Sequence, residues 1–153
     1  MGSIKEKSAM IFVTLGVGKI PFAPGTWGSL LAWVLLWVVQ PAWPLTVGLI
    51  VAVFLASLPA IQLYEKSSGR HDPKEVIIDE VVGQWIALLA VPFSPAAWVA
   101  GFVLFRLFDI LKPFPVGWVD REMPGAWGTL LDDVVAGVLA RGVLAVALGL
   151  GWL

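Results

Sequence analysis

From Ile20 to Tyr64 the chain runs for 45 residues without one charged side chain, and from Val81 to Phe105 for another 25. No feature restricts the fold more. A bilayer crossing takes about 20 apolar residues, so the first gap is long enough for two. Composition agrees: 59% of the residues are hydrophobic and 14% charged, against roughly 25% charged in ordinary soluble domains, and the mean hydropathy is +0.89. A 153-residue chain has too little interior to hide that much apolar surface from water. The net charge of −1 gives no field for a polyanion, so nucleic acid is not an expected partner. The lack of cysteine removes disulfides, thiolate metal ligands and a cysteine nucleophile. The polar start, Met1 to Ser8, and the short apolar run Ala9 to Leu15 read as mature sequence rather than a signal peptide.

The charges fall in three blocks, Lys5 to Lys19, Glu65 to Glu80 and Arg106 to Asp133, with Arg141 alone in the tail. Pro41-Ala42-Trp43-Pro44 breaks the first gap into two helices, which places the first two blocks on one side. Asp72-Pro73-Lys74-Glu75 reads as a helix start, with Asp72 as cap. Pro92-Phe93-Ser94-Pro95 reads as a break followed by a new start capped by Ser94. The second gap then forms a hairpin too, ended by Pro113. Thr129 is the expected cap of the last helix, and Thr26 that of the first. The expected fold is an all-α, polytopic helical membrane protein in a single domain, residues 1–153. It has about five helices in hairpins, near 27–40, 44–63, 73–91, 95–112 and 130–152, with the charged loops on one face. Nine of the ten Lys and Arg lie in the blocks, which makes that face cytoplasmic. Trp27, Trp43, Trp118, Trp127 and Trp152 sit near helix ends, as interface anchors do.

The acids come in an echoed pattern. Asp79-Glu80 and Asp132-Asp133 each follow two aliphatic residues and precede two valines, with a glycine soon after. Each pair enters the start of an apolar helix, where buried carboxylates are costly unless something pairs with them. The glycines allow the two helices to approach closely, and facing acids make an oxygen-rich site for a hard cation such as Mg²⁺. Dipole-favoured surface acids account for one acid per helix, not two. Arg106, Asp109 and Lys112 recur at three-residue intervals on one helix face. Asp109 can join the metal site, and Arg106 and Lys112 can hold phosphate oxygens. The Gly/Pro-rich loop from Gly16 to Ser29 carries Lys19 and Thr26 near the same face. It lacks the Walker spacing, and its glycines and amides suit an anion. His71, the one histidine, reads as a loop residue. Arg141 is deep enough to snorkel or to pair with a buried acid. A small ion-coupled transporter or channel subunit also uses intramembrane acids, but spreads them through membrane depth; here they gather at one end. A non-catalytic membrane scaffold is a third reading, and it has no need for facing acids.

Four ordered motifs carry a resemblance across Leu15 to Gly137: Pro24-Gly25-Thr26-Trp27-Gly28-Ser29; His71-Asp72 followed after five residues by Ile78-Asp79-Glu80-Val81-Val82-Gly83; Phe105-Arg106-Leu107-Phe108-Asp109-Ile110-Leu111-Lys112-Pro113-Phe114-Pro115; and Leu131-Asp132-Asp133-Val134-Val135-Ala136-Gly137. In these the chain resembles the phosphatidylglycerophosphatase A family. One departure is Gly125-Ala126, where that pattern has Gly-Gly. The resemblance implies a Mg²⁺-dependent hydrolase of the terminal phosphate of phosphatidylglycerophosphate, at the inner face of a bacterial cytoplasmic membrane. The partners are then a phospholipid substrate and the bilayer. In that setting Asp79, Glu80, Asp109, Asp132 and Asp133 are the expected metal-binding and catalytic acids. Lys19, Thr26, Arg106 and Lys112 are the expected phosphate-holding residues. Attack by water and attack by an Asp side chain both suit this set.

Overall fold

Helices account for most of the computed structural model, which describes residues 3–70 and 73–153. Among the described residues there are seven α-helices and no strand: α1 (Ile4–Thr14), α2 (Pro24–Val39), α3 (Trp43–Ser68), α4 (Ile78–Ala87), α5 (Pro95–Leu111), α6 (Val116–Glu122) and α7 (Ala126–Gly149). A 3₁₀ turn, Val17–Lys19, joins α1 to the loop before α2.

Local chemistry sets most of the boundaries. Ser3 and Glu6 form a reciprocal capping box at the start of α1, a helix additional to the five expected. Pro24 takes the first turn of α2, where its fixed φ suits the helix and its missing N–H costs nothing. This starts the helix ahead of Thr26, so Thr26 is not the cap. Pro44 lies in the first turn of α3. Ser94 caps α5 as expected, accepting from the Ala97 amide at 3.5 Å. Lys112 closes α5 in a left-handed conformation, just before Pro113. The last helix begins at Ala126, not at Thr129. Its N-cap, Gly125, has φ 60° and ψ −149°, a region that only glycine occupies freely. Of the Gly-Gly pair expected from the resemblance, the glycine present here is the one whose backbone requires it.

The third expected helix is the main correction. Asp72 and His71 lie outside the described residues, but Pro73 to Ile77 is not helical. The Ile77 amide donates to the Val13 carbonyl at 2.9 Å, and this bond to a distant segment holds it out of a helix. α4 therefore starts at Ile78 and stops at Ala87. Its ten residues measure about 15 Å, half the roughly 30 Å of a hydrocarbon core. Eight of them are buried, so α4 is an internal half-length helix rather than a lipid-facing span. The Leu89 carbonyl, left over where α4 ends, accepts from Arg141 Nε at 2.6 Å. The deep arginine thus finds a backbone carbonyl, not an acid.

Among the described residues one helix, α3, is long and apolar enough to cross a membrane by length and composition; α2 is apolar but shorter. α7 packs along α4, α5 and α6, and α4 also contacts α2 and α3. The α4–α7 contact is made backbone to backbone. A Cβ placed on Gly137 would lie 2.4 Å from the Gly83 carbonyl oxygen, and one on Gly83 would lie 2.7 Å from that of Asp133. These are the two glycines that follow the acid pairs. At the far end, Trp33, Trp37, Phe93 and Trp98 form an aromatic cluster with ring centroids 4.3–6.1 Å apart. It ties the end of α2 to the turn between α4 and α5. Trp27, Trp43, Trp118, Trp127 and Trp152 are all exposed.

Candidate active site

The start of α4, the end of α5 and the second turn of α7 meet beside the first turn of α2. They line a cavity of about 650 Å³ that includes Thr26, Asp79, Glu80, Arg106, Asp109, Lys112, Thr129, Asp132 and Asp133. The second and third charged blocks therefore share one face. Lys19 lies apart, in an adjacent cavity of about 670 Å³ with Arg70 and Lys74.

The acids divide by their neighbours. Asp109 accepts from Arg106 Nη1 at 2.5 Å. Asp132 accepts from Lys112 Nζ at 2.8 Å and from the Asp133 amide at 2.9 Å. Asp120, on α6, also accepts from Lys112 Nζ. Burial acts to lower the Lys112 pKa, but the hydrogen bonds to Asp120 and Asp132 outweigh it and raise the ammonium above the ordinary lysine range. Lys112 is therefore charged at any physiological pH.

Asp79, Glu80 and Asp133 form the other group. One carboxylate oxygen from each lies within 4.8 Å of the others. Among the described residues, Glu80 Oε2 and Asp133 Oδ1 are buried with no hydrogen-bond donor. Three clustered carboxylates, two of them with a bare oxygen, are strongly unfavourable in a low-dielectric site unless a cation or protons balance them. All-oxygen donors at this spacing suit a hard divalent cation such as Mg²⁺, so the residues fit the metal that the resemblance implies.

The α2 terminus faces this cluster. Gly25 and Thr26 lie in the first turn, whose amides have no carbonyl one turn earlier to bond, and such a terminus favours anions. A Cβ at Gly25 would lie 2.2 Å from Glu80 Oε1 and 3.3 Å from Arg106 Nη1, so a side chain there would displace the Glu80 carboxylate from its place in the cluster. Ser29, fully buried, accepts from Arg106 Nη1 at 3.3 Å and donates to the Gly25 carbonyl at 2.9 Å. It links the loop to the guanidinium.

Three residues went unremarked in the sequence as contributors: Ser29, Asp120 and Gln84. Gln84 lies one turn after Glu80 on α4. It is fully buried, with neither amide atom hydrogen-bonded among the described residues. The sequence signal for it was available: a carboxamide at i+4 from a buried acid shares that acid's helix face.

The chain is similar in sequence to known proteins. A family model described as Phosphatidylglycerophosphatase A matches residues 10–148. The chain belongs to the phosphatidylglycerophosphatase A family. Two proteins named Phosphatidylglycerophosphatase A are similar to it. The one from Escherichia coli (strain K12) is 39% identical over 143 residues, covering 88% of this chain and 80% of that protein. The one from Haemophilus influenzae is 37% identical over 134 residues, covering 86% and 82%. A protein from Bacteroides thetaiotaomicron is 41% identical over 147 residues, covering 90% and 91%, and its name proposes a phosphatidylinositol-3-phosphatase. No solved structure matches the chain. As a phosphatidylglycerophosphatase A family member the chain is a phosphatase, and the family's reaction is dephosphorylation of phosphatidylglycerophosphate to phosphatidylglycerol.

Proposed function

We propose that this reaction runs in the α4–α5–α7 cavity with a divalent cation, Mg²⁺ by donor chemistry, held by Asp79, Glu80 and Asp133. The observation that carries the reading is the convergence of three carboxylates, with Glu80 Oε2 and Asp133 Oδ1 lacking a donor, beside Arg106 held by Asp109 and Lys112 held by Asp120 and Asp132. When bound, the cation supplies charge neutralisation at phosphate and activation of the attacking group. The chain's own residues do the rest. Arg106 and Lys112 bind the phosphate oxygens, the first as a planar fork and the second as a point charge. Asp109 and Asp132 hold those two side chains in place, so that little reorganisation is needed when charge develops on phosphate. Thr26 and the α2 amides supply further donors to the anion.

The setting is a multi-pass arrangement in the cytoplasmic membrane, with the cavity facing the cytoplasm. α2, α3, α5 and α7 would cross, and α4 would stop halfway, which a buried position permits. Cysteine labelling tests the orientation. Ser67→Cys and Glu122→Cys should label from the cytoplasmic side, and Ala96→Cys from the opposite side. Labelling of Ser67→Cys and Glu122→Cys from different sides would separate the charged blocks and dismantle the site.

The reaction is tested by phosphate release from phosphatidylglycerophosphate and, in parallel, from phosphatidylinositol 3-phosphate. Release from the first, lost on chelation and restored by Mg²⁺, is the expected result. Preference for the inositol lipid would keep the site and change its substrate. Full activity in chelator would remove the cation from the proposal.

A further inference from the structure

The acid cavity is not closed toward the outer surface of α5. A second cavity of about 280 Å³ adjoins it, lined by Val103, Leu107, Ile110 and Leu111 of α5. Thr26 and Arg106 line it as well, and Thr26, Arg106 and Ile110 belong to both cavities. The four aliphatic side chains are 46–72% exposed, although they form one continuous strip on a helix whose other face is packed against α7.

We propose that this groove seats an acyl chain of the lipid substrate, with Arg106 at the junction between chain and phosphate. The inference rests on the phosphatase reading of the acid cavity and adds the path by which the rest of the lipid leaves it. Three observations select a lipid chain as the occupant. First, the groove is continuous with the phosphate cavity, so one molecule can fill both. Second, its polarity changes in the required order. Arg106 stands at the junction with Ile110 and Leu111 beside it, and from there Leu107 and Val103 give aliphatic surface toward the middle of α5, Val103 about 4.5 Å back along the axis at 1.5 Å per residue. A lipid with its phosphate among the acids must run in that direction, toward the apolar middle of the chain's helices. Third, Arg106 has a donor left over at the junction. Nη1 is engaged by Asp109 and Ser29, but Nε is buried without a partner among the described residues. An unmet guanidinium N–H beside an apolar groove suits the phosphodiester or ester oxygens that connect a lipid headgroup to its chains. Apolar walls with a few convergent polar groups are the usual make-up of a ligand site.

The test uses the full chain in detergent and two readouts. A phosphatidylglycerophosphate with a diazirine midway along one acyl chain should, on illumination, label the peptide spanning residues 99–111. Labelling concentrated on α3, or spread evenly over the apolar helices, would overturn the groove. Leu107→Trp and Val103→Trp fill it with apolar volume. They should lower turnover of a dioleoyl substrate at least tenfold, yet leave a dibutanoyl substrate within twofold. Equal loss on both substrates, or no loss on either, would overturn the proposal. So would a change of oligomeric state in Leu107→Trp, which would make the strip an interface between copies. Labelling of α5 by a wild-type chain that releases no phosphate would retain the groove and remove the hydrolysis, so the two readings fail separately.

Discussion

At the turn between α4 and α5, buried polar atoms find partners within the protein. Trp33 donates to the Trp98 carbonyl at 2.9 Å, Trp85 to that of Ala32 at 3.0 Å and Trp98 to that of Pro92 at 3.1 Å. At the opposite end of the same helices, Glu80 Oε2, Asp133 Oδ1 and Arg106 Nε are buried with no protein partner among the described residues. Leaving such atoms unmet costs about 1–3 kcal/mol each, more where they are charged. The aromatic end looks like a region selected for packing. The acid end keeps hydrogen-bonding and charge capacity in reserve, as a site must if its groups are to act on something that arrives later.

The sharpest way to break this contrast is to neutralise the reserve. Asp133→Asn and Asp79→Asn should each reduce phosphate release to below a few per cent, with the chain still inserted and monodisperse in detergent. Retention of substantial turnover in either would remove that residue from the essential set. Next in size is Arg106→Lys, which keeps the charge and loses the fork. It should cost about 2–4 kcal/mol of transition-state stabilisation, if Arg106 acts as other preorganised electrostatic groups do, or about a hundredfold or more in rate. Its Mg²⁺ titration midpoint should stay unchanged. Asp109→Asn should give a smaller loss, about tenfold, which corresponds to about 1.4 kcal/mol. Because Asp109 bonds to Arg106 and not to the carboxylate cluster, excess Mg²⁺ should not rescue it. Rescue would place Asp109 among the metal ligands instead.

The remaining tests compare stability with activity. Gln84→Leu removes two unmet polar atoms at similar volume, so the thermal midpoint should rise while turnover falls, if the carboxamide serves the site. A rise in both would leave Gln84 without a function. Trp98→Phe should have the smallest effect. It removes one hydrogen bond, about 1 kcal/mol of stability, and should leave turnover within twofold. A large loss of activity there would show that the two ends are coupled.

The acid pairs, the glycines behind them and the Arg106–Lys112 strip were legible in the sequence because each is a local pattern: charge within an apolar run, or residues recurring on one helix face. The Pro41–Pro44 and Pro92–Pro95 breaks were legible for the same reason, since proline acts on its own helix. The expected helix over 73–91 failed because a bond from Ile77 to Val13 decides where α4 begins, and no local propensity reports on a partner more than 60 residues away. Ser29, Asp120 and Gln84 were missed because each gains its meaning from a neighbour on another element or from complete burial.

The sequence by itself therefore determined the class of structure, the family and the chemical inventory of the site. Apolar runs, helix punctuation and paired acids act over a few residues, and their consequences do not depend on the fold. Only the tertiary structure decided how the five acids are divided. Asp109 and Asp132 hold the Arg106 and Lys112 cations, while Asp79, Glu80 and Asp133 converge, with a bare oxygen on Glu80 and on Asp133. Electrostatic role depends on distances of a few ångströms between side chains on different helices, and those distances are set by the glycine-to-glycine crossing of α4 and α7.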